Sequence, residues 1–236
     1  MKKIFIALVL LASIQGFALW DYKHYNENSN TTFRSNPLFN KVIDPDNVDY
    51  RRLNAAVFFV TNEERLKRNL SSLEHSIELE AAAWYHSKRM TELNFFSHYD
   101  RDPARRDPVK RTGLAGVANP LPAENIASSS GIKITSGQRL YPIDISKGHL
   151  SSRPGGEIIP YHTYLSFADA IVKQWMDSPG HRANILSKDV IQLGCGIYCF
   201  RDKSFFSILK CNGTQKFQSH EKIIKKEPSD TVPFEY

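Results

Sequence analysis

Imidazoles and acids recur in short polar segments of this 236-residue chain. Asn94-Phe95-Phe96-Ser97-His98-Tyr99-Asp100 places His98 behind two aromatics, just past a helix-like stretch. Ala123-Glu124-Asn125-Ile126-Ala127 sets a carboxylate beside an amide. It reads as the opening of a short helix, where the helix dipole favours an acid. Trp175-Met176-Asp177-Ser178-Pro179-Gly180-His181-Arg182-Ala183-Asn184-Ile185-Leu186 puts His181 in the first turn of a helix. The positive end of a helix disfavours imidazolium, so His181 is expected to stay neutral and able to ligate a metal or donate a hydrogen bond. Asn62-Glu63-Glu64-Arg65 lies on a helix, where its charges serve equally well as a solvated face. Ser97 beside His98 is no sign of a serine triad: sequence neighbours rarely point at one another, and there is no Gly-x-Ser-x-Gly elbow.

Four helices and a late hairpin must position these groups. Residues 55–70 are helical in composition, without Gly or Pro. Ser76 caps a second helix to about Leu93, with Leu79, Ala82, Ala83, His86, Met90 and Leu93 on one face and Asn94 as its stop. A third runs over 166–176, with Ser166 and Asp169 spaced as a capping pair. A fourth begins at Pro179 behind the cap Ser178. Then the period becomes two: Leu193, Cys195, Ile197 and Cys199 alternate with other residues, as in a strand. Arg201-Asp202-Lys203 makes a turn, and 205–211 returns as a second strand. Centring the turn on Lys203 sets Cys195 opposite Cys211. A bridge there would close a loop of about fifteen residues, worth about 3 kcal/mol in the chain-entropy model. A one-residue slip would point the two sulfurs to opposite faces. No Cys-x-x-Cys is present, which argues against a thiolate zinc site or a thioredoxin-like motif.

With 41% hydrophobic and 24% charged residues, the composition is that of a folded protein. Lys2-Lys3, the apolar run 4–14 and the small residues Gly16 and Ala18 read as a secretory signal peptide over 1–18, cut near Ala18. The run is shorter than the ~20 apolar residues of a membrane span, and no later segment is long and apolar enough. The expected product is secreted or periplasmic. Its net charge falls from +6 to about +4 once Lys2 and Lys3 are gone. That charge, without any nucleic-acid-binding motif, argues against nucleic acid as a partner. Residues 19–52 read as an irregular extension with a few anchoring aromatics, 128–165 as a long insertion with room for a short hairpin, and 215–236 as a polar tail.

In order, Asn-x-Glu-Arg at Asn62, Phe-Phe-Ser-His at Phe95, Glu-Asn-Ile-Ala at Glu124, the Ser-Pro-Gly-His segment and Gly194-Cys195-Gly196 resemble the CAP superfamily of cysteine-rich secretory, antigen 5 and pathogenesis-related-one proteins, in its bacterial form. The match runs from about Leu53 to Asn212, so 53–214 is the expected domain. The resemblance implies an α+β fold, a three-layer α-β-α sandwich with a central antiparallel sheet. It also implies a cleft where two histidines and two acids converge and hold a divalent metal in some members. Carried over, these are His98, His181 and Glu124. The fourth position falls on Ser178, with Asp177 one residue earlier as a shorter substitute. Asn125 and Ser97 would support the cleft. Two imidazoles, a carboxylate and an open position suit zinc. The resemblance also supports Cys195–Cys211, with Cys199 left over; Cys199–Cys211 is the alternative.

Three functions fit. One is a non-enzymatic extracellular binding module taking a lipid, glycan or cell-wall fragment, with contacts from its cleft, from the aromatic-bearing insertion and from the basic 101–112 segment (Arg101, Arg105, Arg106, Lys110, Arg111), which otherwise reads as a solvated loop. One is a metal-dependent hydrolase using His98, Glu124 and His181. The last is a structural or partner-binding protein with a vestigial site. The family hosts several roles, and the first reading is favoured.

Overall fold

Asp49, Ser76, Asp107 and Thr163 each accept a hydrogen bond from the backbone N–H three residues on, and each starts a helix. In a computed structural model describing residues 23–118, 120–135, 137–202 and 208–219, short α1 (Lys23–Asn26) precedes these four. They are α2 (Tyr50–Leu66), α3 (Ile77–Glu92), α4 (Pro108–Leu114) and α5 (Tyr164–Asp177). Pro179 then opens α6 (Pro179–Leu186). The α5 cap differs from the expected Ser166–Asp169 pair. Thr163 is the cap and Ser166 its reciprocal partner, while Asp169 pairs with Arg34 at 2.8 Å. Ser178 precedes α6 without a side-chain capping bond. Asn94 does end α3, with a left-handed φ of 49°.

The strands are β1 (Glu74–His75), β2 (Pro122–Ser130), β3 (Tyr141–Asp144), β4 (His149–Ser151), β5 (Val190–Asp202) and β6 (Ile208–Ser219). The main sheet has the order β1-β5-β6-β2 and is antiparallel except for the two-residue β1, which runs parallel to β5. Glu124 therefore lies on a strand, not at a helix start. Nine consecutive residues of β2 pair with β6, and that ladder outweighs the local preference of an acid for a helix end. The sheet also reaches Ser219, so Gln215 and Lys216, expected to begin a polar tail, are fully buried. The expected signal peptide and the rest of that tail lie outside the described residues.

Period-two alternation sends neighbouring residues to opposite helical layers. Cys195, Ile197 and Cys199 join the core with Leu53, Val57, Phe167, Ile171 and Trp175 of α2 and α5. Gly194 and Gly196 face α3. A Cβ at either would fall on the backbone of Glu80 or Trp84, so α3 lies directly on β5 and glycine is required. The molecule is thus an α-β-α sandwich.

The disulfide joins Cys199 to Cys211, and Cys195 is a buried thiol opposite Gln215. This corrects the expected Cys195–Cys211 bridge. The hairpin pairs Asp202 with Ile208, which centres its connection two residues beyond Lys203. That displacement carries Cys211 four positions along β5, from Cys195 to Cys199.

The 19–52 extension contributes to the core. Phe33, Phe39 and Ile43 are at most 1% exposed, and Arg34 bridges Glu63 on α2 and Asp169 on α5. Within 128–165, β3 and β4 form a hairpin beside a second small core of Ile132, Leu150 and Ile159.

Candidate functional site

Glu124 and Asn125 are adjacent on the edge strand β2 and so point to opposite faces. Asn125 donates to Gln215 Oε1 and to the His181 carbonyl, both at 3.1 Å, and accepts from Asn184 at 2.8 Å. It ties the start of α6 to the sheet. Glu124 faces the α3 side. Its Oε1 accepts from His98 Nδ1 and Arg111 Nη2, both at 2.9 Å. Its Oε2 accepts from Arg111 Nη2 at 2.9 Å and from the Lys216 ammonium. An ionised carboxylate has about four acceptor positions, and these contacts occupy them.

Burial alone would push the Glu124 carboxyl up. Lys216, the His98 hydrogen bond, Arg111 and His86 overcome this and hold it well below the usual carboxylate range. Burial brings Lys216 down to about 8, opposed by Glu124, so it stays charged at neutral pH. Because the carboxylate only accepts, His98 Nδ1 carries a proton, and this contact leaves Nε2 unused. The His98 side chain is 42% exposed.

His86, Arg111 and Lys216 were not among the expected cleft residues. His86 is wholly buried on α3, with Nε2 3.9 Å from Glu124 and donating to the Ser97 carbonyl at 3.0 Å. Burial lowers its pKa to about 4, with Arg111 and Lys216 adding to the effect. Arg111, read as part of a solvated basic loop, is buried on α4; it also donates to the carbonyls of His98, Arg105 and Arg106. It therefore folds the 98–106 loop around the carboxylate. His86 sat in an apolar stripe and Lys216 in an apparent tail, so only the partner carboxylate reveals either one.

His181 is partly buried. Its pKa is lowered by burial and by nearby His98, so the expected neutrality has causes other than the helix end. Ser97 supports the loop: its hydroxyl accepts from the Tyr99 N–H at 3.0 Å and its carbonyl from His86. Asp177 does not join this group. Its side chain is 65% exposed, pairs with Lys173 at 2.6 Å and lines a charged recess with Arg34, Lys67 and Arg182.

The metal implied by the resemblance does not fit this arrangement. Glu124 is committed to two internal cations and His98, and Asp177 lies elsewhere. Among the described residues no three His, Cys, Asp or Glu side chains are grouped to hold a metal ion.

The other segments act structurally. Asn62 caps the Leu73 backbone, donating at 3.0 Å and accepting at 2.7 Å. Arg65 is buried and donates to the carbonyls of Ser71, Ile185 and Ser187, closing the end of α6. No helix among the described residues is long and apolar enough to cross a membrane.

A three-layer α-β-α sandwich, with Glu124 at the sheet edge bonded to His98, Arg111 and Lys216, defines the class. The profile of the cysteine-rich secretory protein family, CAP, matches residues 58–212, and the chain belongs to that family. Among curated relatives it is 26% identical over 137 residues to the uncharacterized protein YkwD of Bacillus subtilis, covering 58% of this chain and 39% of YkwD. It is 28% identical over 138 residues to the uncharacterized membrane protein YlbC of the same organism, covering 58% of this chain and 29% of YlbC. The matches thus span less than half of either relative. Among solved structures, an extracellular protein containing a SCP domain from Bacillus anthracis is similar with a TM-score of 0.49 and 24% identity, over 76% of this chain and 45% of that one.

Proposed function

We propose that the protein is a secreted, non-enzymatic binding module whose ligand, a lipid, glycan or cell-wall fragment, enters the cleft at His98 and His181. The observation that carries this reading is the saturation of Glu124. The carboxylate holds the site together and orients His98, and His98 Nε2 is left to meet a ligand. Phe96 and Tyr99, 54% and 65% exposed on the same loop, supply apolar surface beside these polar groups. Secretion rests on the basic start and apolar run of residues 1–18.

The test is thermal unfolding of the purified protein against panels of lipid vesicles and soluble cell-wall fragments, with hydrolysis of peptides, esters and glycans followed in parallel. A ligand at 100 times its Kd should add about 2.7 kcal/mol of stability without turnover. His98→Ala/His181→Ala should lose that gain. Turnover abolished by His98→Ala would overturn the reading.

A further inference from the structure

Glu124 is one negative charge facing two buried positive ones. Arg111 and Lys216 have 3% and 0% of their side-chain surface exposed, against 2% for Glu124. Arg111 also serves the loop through three carbonyls, whereas the hydrogen bond found for the Lys216 ammonium goes to Glu124. Lys216 is placed for this by register: it is directly opposite Glu124 on the β2–β6 ladder. A buried lysine is costly unless paired, and this pair is made on the buried, α3-facing side of the sheet.

We propose that Lys216 is a resident cation, built into the sheet to balance Glu124 in place of a divalent metal. Its ammonium takes an Oε2 acceptor position and, together with Arg111, adds positive charge that repels a second cation. By fixing Glu124 it also fixes His98, since the Nδ1–H of His98 is held by the same carboxylate. Lys216 is thus a positioning residue, and the cleft is metal-independent whatever ligand it takes. Asp107 is an acid near enough to favour the charged ammonium, but Glu124 is the direct partner.

Calorimetric titration of the purified protein with zinc chloride at pH 7 tests this, using wild type, His98→Ala, Lys216→Met, Lys216→Gln and Lys216→Arg. Removing the ammonium frees a carboxylate acceptor and lowers the local positive charge. Lys216→Met or Lys216→Gln should bind zinc about 10- to 100-fold more tightly than wild type, the scale on which groups around a ligand set change metal affinity. Adding His98→Ala should abolish the gain. Lys216→Arg, which keeps the charge, should exclude zinc as wild type does. A simple packing role for Lys216 would lower stability in all three variants but create no zinc site in any. Two results would overturn the proposal: one equivalent of zinc in wild type that His98→Ala removes, or folded Lys216→Met and Lys216→Gln that gain no zinc affinity. If neither variant folds, the comparison of wild type with His98→Ala decides alone.

Discussion

Lys216 and Glu124 stand directly opposite each other on β6 and β2 and form an ion pair with 0% and 2% of their side-chain surface exposed. One rung of a sheet therefore carries the electrostatic centre of the candidate site. His98, Arg111 and His86 gather around it from a loop and two helices. Removing one partner of such a pair is costly, because the other charge stays buried.

The disulfide register can be checked chemically. Non-reducing peptide mapping should recover Cys199 linked to Cys211. Cys195, whose thiol is pushed up well above its ordinary range by burial and then by Glu80, should resist alkylation until the protein unfolds. With the linked positions 12 apart in sequence, Cys199→Ala/Cys211→Ala should cost about 3 kcal/mol in urea denaturation. A Cys195–Cys211 peptide would contradict the register.

The contact of α3 with β5 predicts a sharp contrast among glycines. Gly194→Ala and Gly196→Ala should each destabilise by about 1–3 kcal/mol or more, because the new methyl meets helix backbone rather than a side chain that can turn away. Gly180→Ala, on α6 with open space at its Cβ, should be neutral or raise stability by up to about 1 kcal/mol. Equal effects at all three positions would refute the close approach.

Buried neutral His86 sets a pH dependence. Its pKa falls from 6.5 to about 4 on folding, so the unfolded chain binds more protons between those values. Its contribution is present above pH 6.5, declines as pH falls, and is lost by about pH 4. The decline should amount to about 1–3 kcal/mol in urea denaturation, and His86→Gln should flatten it. Glu63, held near 2 by Arg34 despite partial burial, acts in a lower window, from about 4.5 down to 2. A wild-type profile flat from pH 6.5 to 4, or identical in His86→Gln, would contradict the burial of a neutral ring.

Arg65 should prove sensitive to conservative change. Arg65→Lys keeps the charge but cannot fork between the Ser71, Ile185 and Ser187 carbonyls. A loss of about 1–3 kcal/mol is expected, with earlier hydrogen exchange at the end of α6. Unchanged stability and exchange would show that the contact is not needed.

The sequence made the frame legible where local rules and tertiary structure agree. Ser76, Pro179 and the alternation of 193–199 announce a cap, a helix start and a strand, and all three are present. His98 and Glu124, each marked by its motif, meet at 2.9 Å. Long-range pairing hid the remainder. Glu124 looked like a helix opener because only its ladder with β6 makes it a strand residue. Lys216 looked like tail because nothing local marks a lysine as the partner of an acid 92 residues away. Asp177 was drawn into the site by proximity in sequence, yet it lies at the far end of α5 and points to solvent. The cysteine pairing turned on a two-residue shift in the centre of the connection, which periodicity alone does not fix.

The most direct test is the nitrogen-15 spectrum of the histidine rings at pH 7, recorded without metal and then with one equivalent of zinc. The predicted result is His98 protonated on Nδ1 and His86 on Nε2, with neither His98 nor His181 changing on zinc addition. Zinc-dependent shifts at both His98 and His181, lost in Glu124→Gln, would show that Glu124 serves a metal rather than its internal cations.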